Sequence, residues 1–158
     1  MIRITNSDHW LYEQSLLHPG KPSVITKERS ISYSEFINEC SVAAEFLLNK
    51  GLKKNDNVGI LNGHNYNFFV LINALWFIGA VPVPLNKRLL SEEIQKQIKQ
   101  ADIKYLLTDE NLGEQFSQLN AIVIIFPRAN SSNPISNKNT SILHSQFAIL
   151  KVYDLLGR

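Results

Sequence analysis

Between Phe68 and Glu93 the chain reads FFVLINALWFIGAVPVPLNKRLLSEE, and this stretch restricts the fold more than any other. From Phe68 to Ile78 only Asn73 interrupts an apolar run, which predicts a helix buried on nearly all sides, with Trp76 in the core. Gly79 suits the left-handed conformation that closes a helix. Val81-Pro82-Val83-Pro84-Leu85 must be extended, because each proline lacks a backbone donor and pushes its predecessor out of the helical region. The expectation is a buried helix that turns directly into a strand. The same prolines argue against a membrane span. A helix ending at Ile78 has about 11 residues and at ~1.5 Å each covers about half of a ~30 Å hydrocarbon core.

Around this stretch the chain carries a resemblance. GILNGHNYNFF, an apolar helix ending in Trp76-Phe77-Ile78-Gly79-Ala80, then Val81-Pro82-Val83-Pro84-Leu85-Asn86-Lys87-Arg88-Leu89 and Ser91-Glu92-Glu93-Ile94 follow one another in fixed order. That order resembles the N-terminal subdomain of the AMP-forming acyl-CoA synthetases, the adenylate-forming ligase superfamily, and within it the o-succinylbenzoate-CoA ligases. The similarity runs from about Asp8 to about Phe126. It implies an enzyme family that converts an acid, ATP and CoA to acyl-CoA, AMP and diphosphate. Its cofactors would be ATP, magnesium and CoA in the intact family, and none by this chain alone.

The remaining elements follow from local signals. Ser7 or Asp8 can cap a first amphipathic helix through Leu17 with Trp10, Leu11, Leu16 and Leu17 as its apolar set, ended by Pro19-Gly20. Ser23 to Thr26 and Ser30 to Ser32 read as a hairpin around Lys27-Glu28-Arg29. Ser32-Tyr33-Ser34-Glu35 is a capping box opening a helix from Tyr33 to Lys50, with Gly51 as its stop. Asn57 to Leu61 is the next strand, and Gly63 to Asn67 the loop into the central helix. Ser91 caps a helix through Ala101 that buries Ile94, Ile98 and Ala101. Lys104 to Thr108 is a strand, a short helix is expected near Leu112 to Leu119, and Ala121 to Phe126 reads as a strand buried on both faces of a parallel sheet. The fold class is therefore α/β, a doubly wound and mainly parallel sheet with flanking helices, plus a small β-hairpin near the N-terminus.

Composition and charge narrow the function. A net charge of +2 from 16 basic and 14 acidic residues provides no nucleic-acid stripe, and Lys53-Lys54 and Lys87-Arg88 read as solvated loop ends. No apolar segment of a secretory signal follows Arg3, so the expected compartment is the cytoplasm. Cys40 lies in the buried stripe Phe36, Ile37, Cys40, Ala43, Ala44, Leu47, Leu48 and is expected to be inert. His9, His18, His64 and His144 show no metal-ligand spacing.

Three segments result: 1–126 as the ligase subdomain, 127–140 as a polar linker (PRANSSNPISNKNT runs across its length), and 141–158 as a tail of uncertain origin. Thr140-Ser141-Ile142-Leu143 resembles the strand that leads, in the family, into a Gly-rich phosphate loop ending in Pro-Lys-Gly. Here His144-Ser145-Gln146-Phe147 stands instead, and no Pro-Lys-Gly occurs. Phe147 to Arg158 resembles a strand of the C-terminal sorting domains of some secreted bacterial proteins. Without an export signal it is read as sequence following a truncation, frameshift or fusion. The family's catalytic lysine is likewise unmatched, so no catalytic, cofactor-binding or metal residue is assigned.

The leading expectation is thus an N-terminal ligase piece, inactive alone, whose partner is the missing remainder of the ligase and whose uncovered sheet flank drives self-association. Two alternatives stand beside it: a small Rossmann-like nucleotide module using the Gly63 loop, and a subunit completing a separately encoded ligase remainder.

Overall fold

The computed structural model describes residues 9–63, 65–108 and 119–126. Its elements run α1 (Trp10–Leu17), β1 (Pro22–Ile25), β2 (Ser30–Ser32), α2 (Tyr33–Asn49), β3 (Asn57–Leu61), α3 (Tyr66–Ile78), β4 (Val81–Pro84), α4 (Ser91–Gln100), β5 (Ile103–Thr108) and β6 (Ile122–Ile125). Strands β1 and β2 form the expected antiparallel hairpin. The others form one parallel sheet in the order β4-β3-β5-β6.

Alternation along the strands sorts the sheet into two cores. Val58 and Ile60 of β3, Tyr105 and Leu107 of β5 and Ile124 of β6 face α2 and α3. Leu61, Leu85, Ile103 and Leu106 face Ile94 and Ile98 of α4 on the other side. Gly59 belongs to this second face, where a β-carbon would meet Leu106 Cδ1 at 2.9 Å and Ile103 and Leu85 methyl groups at 3.2 Å. The sheet is therefore covered by helices on both faces, as a parallel sheet requires.

The prolines of β4 are accommodated at the sheet edge. Val81 N–H donates to Asp56 and Leu85 N–H to Ile60, so the odd-numbered residues bond to β3 while Pro82 and Pro84 turn their missing donors outward. Before them, Gly79 closes α3 at φ 77°, as its sequence position implies.

Several expectations need correction. Helix α3 starts at Tyr66, two residues early, because Asn65 Oδ1 caps it by accepting Phe68 N–H. It is also not buried all round: Phe69 is 51% and Trp76 43% exposed. These two lie seven residues apart and share the single stripe that faces away from sheet and α2. In α1 the cap is His9, whose Nδ1 accepts Leu11 N–H, and Ser7 and Asp8 lie outside the described residues. Only Leu11 of the expected apolar set is buried, since an eight-residue helix lying on α2 covers one narrow face.

Helix α4 is capped at Leu90 rather than Ser91. Glu93 Oε2 accepts Leu90 N–H at 2.9 Å, and Ser91 is already helical. The capping box at Ser32 and Glu35 is as expected. Among the described residues strand β6 is a sheet edge, not a centre: Ile122, Val123 and Ile125 are 54%, 43% and 55% exposed. The helix expected near Leu112 to Leu119 falls, but for Leu119, outside the described residues, as do the linker 127–140 and the tail 141–158.

Candidate functional site

In a doubly wound sheet, ligands meet the carboxyl ends of the strands where the chain reverses its direction of travel across the sheet. From β3 the chain moves one way to β4, crosses back over to β5, and continues to β6. The reversal lies between β3 and β5, at Leu61-Asn62-Gly63 and Thr108. Thr108 Oγ1 donates to the Leu61 carbonyl at 3.5 Å and ties the two ends together.

Hydrogen-bond donors collect at this place. Asn62 is buried, its Oδ1 accepts Gly63 N–H at 2.8 Å, and its Nδ2 has no partner among the described residues. A β-carbon on Gly63 would lie 3.3 Å from Lys87 Nζ and 3.7 Å from Asn65 Nδ2, so glycine lets both side chains approach the backbone. Lys87 comes from the turn after β4, which is tied by Asn86 Oδ1 accepting Arg88 N–H at 3.0 Å. The amino end of α3 adds its partial positive charge, although Asn65 already satisfies one of its amides. This arrangement can receive an acceptor or an anionic group. The residues named here include no carboxylate, imidazole or thiol.

The Gly63 loop, singled out from the sequence, thus sits in the crevice, and Lys87 remains a solvent-exposed loop residue as expected. Cys40 is elsewhere, inside α2, where burial and the neighbouring Glu39 charge push its thiol pKa well up. Among the described residues no three His, Cys, Asp or Glu side chains gather as metal ligands.

A second polar cluster escaped the sequence reading. Buried Glu39 on α2 meets Arg29 of the hairpin, and the Arg29 guanidinium lies 5.0 Å from the centre of the Tyr66 ring at the start of α3. Burial and the Glu39 carboxylate push the Tyr66 hydroxyl well above its ordinary pKa. The available signal was Glu39 itself, set between Phe36, Cys40 and Ala43 on the buried stripe of α2. This cluster ties the hairpin and the start of α3 to α2.

Comparison with known proteins adds the family. A family model described as AMP-binding enzyme matches residues 11–146. The chain belongs to this family. Relatives include the 2-succinylbenzoate--CoA ligase of Bacillus cytotoxicus, 32% identical over 65% of this chain and 21% of the relative. That of Bacillus mycoides is 29% identical over 65% and 21%. The chain therefore spans about a fifth of the length of these relatives. Among solved structures, the o-succinylbenzoate CoA synthetase of Bacillus subtilis in complex with AMP shares the fold with a TM-score of 0.71 at 22% identity, over 74% of this chain and 31% of that one. The N-terminal subdomain of NpsA from Klebsiella oxytoca, in complex with 3-hydroxybenzoyl-AMSN, matches with a TM-score of 0.66 at 29% identity, over 73% of this chain and 28% of that one. The family assignment favours the ligase reading over a free-standing Rossmann-like module.

Proposed function

We propose that this chain is the N-terminal part of an AMP-forming acid-CoA ligase and supplies scaffold rather than catalytic groups. The supporting observation is the family match over residues 11–146 on a sheet that superposes on the N-terminal region of such ligases. In the reaction that the family resemblance implies, an acid, ATP and CoA give acyl-CoA, AMP and diphosphate by way of an acyl-adenylate. Such chemistry depends on groups that stabilise phosphate charge and align the reactants. At the crevice the described residues offer donors at Asn62, Asn65 and Lys87, and no group of three metal-ligating side chains gathers among them. No step is therefore assigned to them, and the chain alone is expected to be inactive. The partner in this reading is the remainder of a ligase.

The acid is proposed to be a substituted benzoate. The relatives are named for 2-succinylbenzoate, and the NpsA subdomain was solved with 3-hydroxybenzoyl and anthranilyl compounds. The test is ATP–pyrophosphate exchange with a panel of benzoates, using the chain alone and the chain joined to the residues that follow the matched region in a 2-succinylbenzoate--CoA ligase. The chain alone should match an empty-vector preparation, and the joined protein should exchange. Exchange by the chain alone, or silence of the joined protein beside an active natural ligase, ends the proposal.

A further inference from the structure

The two edges of the parallel sheet differ in kind. On β4, Pro82 and Pro84 stand where outward donors would be, so that edge offers carbonyls and no amides. On β6, Phe126 N–H donates to Thr108, which places Ile122, Ile124 and Phe126 toward β5 and turns the backbone of Val123 and Ile125 outward. Those outward groups have no partner among the described residues. Ala121 to Phe126 carries no charge, proline or glycine, the usual devices that keep an edge from pairing. Both side-chain faces of the strand are apolar and exposed at this edge, with Val123 and Ile125 on one face and Ile122 on the other.

We infer that the β6 edge is a self-pairing surface whose occupant is β6 of a second copy of this chain, joined antiparallel about a twofold axis. The register follows from the outward groups. Centring the axis on Ile124 sets Val123 opposite Ile125 of the second copy and Ile125 opposite Val123, each pair exchanging two backbone hydrogen bonds. The same register places both copies' Val123 and Ile125 side by side on one face. It also sets Ile124 against Ile124. A strand without charge meets itself with no repulsion across the seam. Because the β4 edge lacks donors, the same contact cannot repeat on the far side of the sheet. Association therefore closes at a dimer with one continuous eight-stranded sheet instead of growing into a filament. This inference does not depend on the ligase reading, since it uses only the edge.

The experiment combines sedimentation with amide exchange on the full chain over a range of concentrations. The wild type should sediment as a monomer–dimer equilibrium, with Val123 and Ile125 amides protected more strongly as concentration rises. Ile125→Pro repeats the device of β4, removing an outward amide without touching the bonds to β5. By symmetry it deletes two seam bonds and should weaken the dimer about 50-fold. Ile125→Lys, exposed in the monomer, should do the same through charge, with circular dichroism unchanged for both. Three results would overturn the inference: a wild-type monomer with unprotected edge amides, protection independent of concentration, or a dimer that Ile125→Lys leaves intact. The second would mean that distal residues of the same chain cover the edge.

Discussion

Arg29 Nη2 meets Glu39 Oε1 at 3.1 Å, joining the hairpin turn to the buried face of α2, while the other carboxylate oxygen of Glu39 is buried without a partner among the described residues. A carboxylate held this way depends on its one cation. Arg29→Leu should cost on the order of 2–3 kcal/mol, the scale of a hydrogen bond to a charged group, since the Arg29 side chain is itself partly solvated. Arg29→Leu made together with Glu39→Leu should recover much of that loss. Urea unfolding of the four proteins in a double-mutant cycle reads the coupling, and additive losses would show that the pair contributes nothing.

His9 makes stability depend on pH. Its ring is buried against Phe77 and Trp76, with centroids 4.9 and 5.9 Å away, and Nδ1 accepts Leu11 N–H. Burial lowers its pKa below 6.5. The unfolded chain then takes up the proton first, so stability present above about pH 6.5 is lost as pH falls, at most about 1.4 kcal/mol per pH unit for one proton. His9→Asn puts a capping oxygen in place of Nδ1 and removes the titration. Urea midpoints between pH 7.5 and 5 should slope less in His9→Asn than in the wild type, and equal slopes would clear His9 of the effect.

Gly59 is a packing glycine. A methyl group there would press on Leu106, Ile103 and Leu85 at once, so Gly59→Ala should destabilise by about 1–3 kcal/mol, the usual cost of overpacking. Adding Leu106→Val should return part of that loss. A Gly59→Ala protein as stable as the wild type would mean the second core yields freely.

Trp76 lies on the exposed stripe of α3, so acrylamide should quench it and Trp76→Ala should cost about 1–2 kcal/mol, below the ~3–5 kcal/mol of a fully buried tryptophan. Trp10, also about half exposed, contributes to the same emission. The quenching is therefore read in a Trp10→Phe background.

Cys40 should resist thiol reagents in the native protein at neutral pH and react fully in denaturant, because burial disfavours the thiolate. Native labelling at the denatured rate would mean that α2 opens readily.

What the sequence determined by itself were the elements governed by local chemistry. The Ser32–Glu35 capping box, the glycine stop at Gly79, the extended Val/Pro strand and the order of strands and helices depend on backbone conformations and hydrogen bonds made within a few residues, which residue type controls directly. The Gly63 loop was likewise legible as a strand-to-helix turn, and the tertiary structure decided that Lys87, distant in sequence, approaches it. Burial was the other quantity the tertiary structure decided. The same apolar alternation describes a central strand and an edge strand, and the same run describes a helix enclosed all round and one with an open stripe, because exposure depends on which neighbours arrive. Thus β6 ended at the sheet edge, Phe69 and Trp76 faced outward, and Glu39 went inside because Arg29 of the hairpin came to meet it.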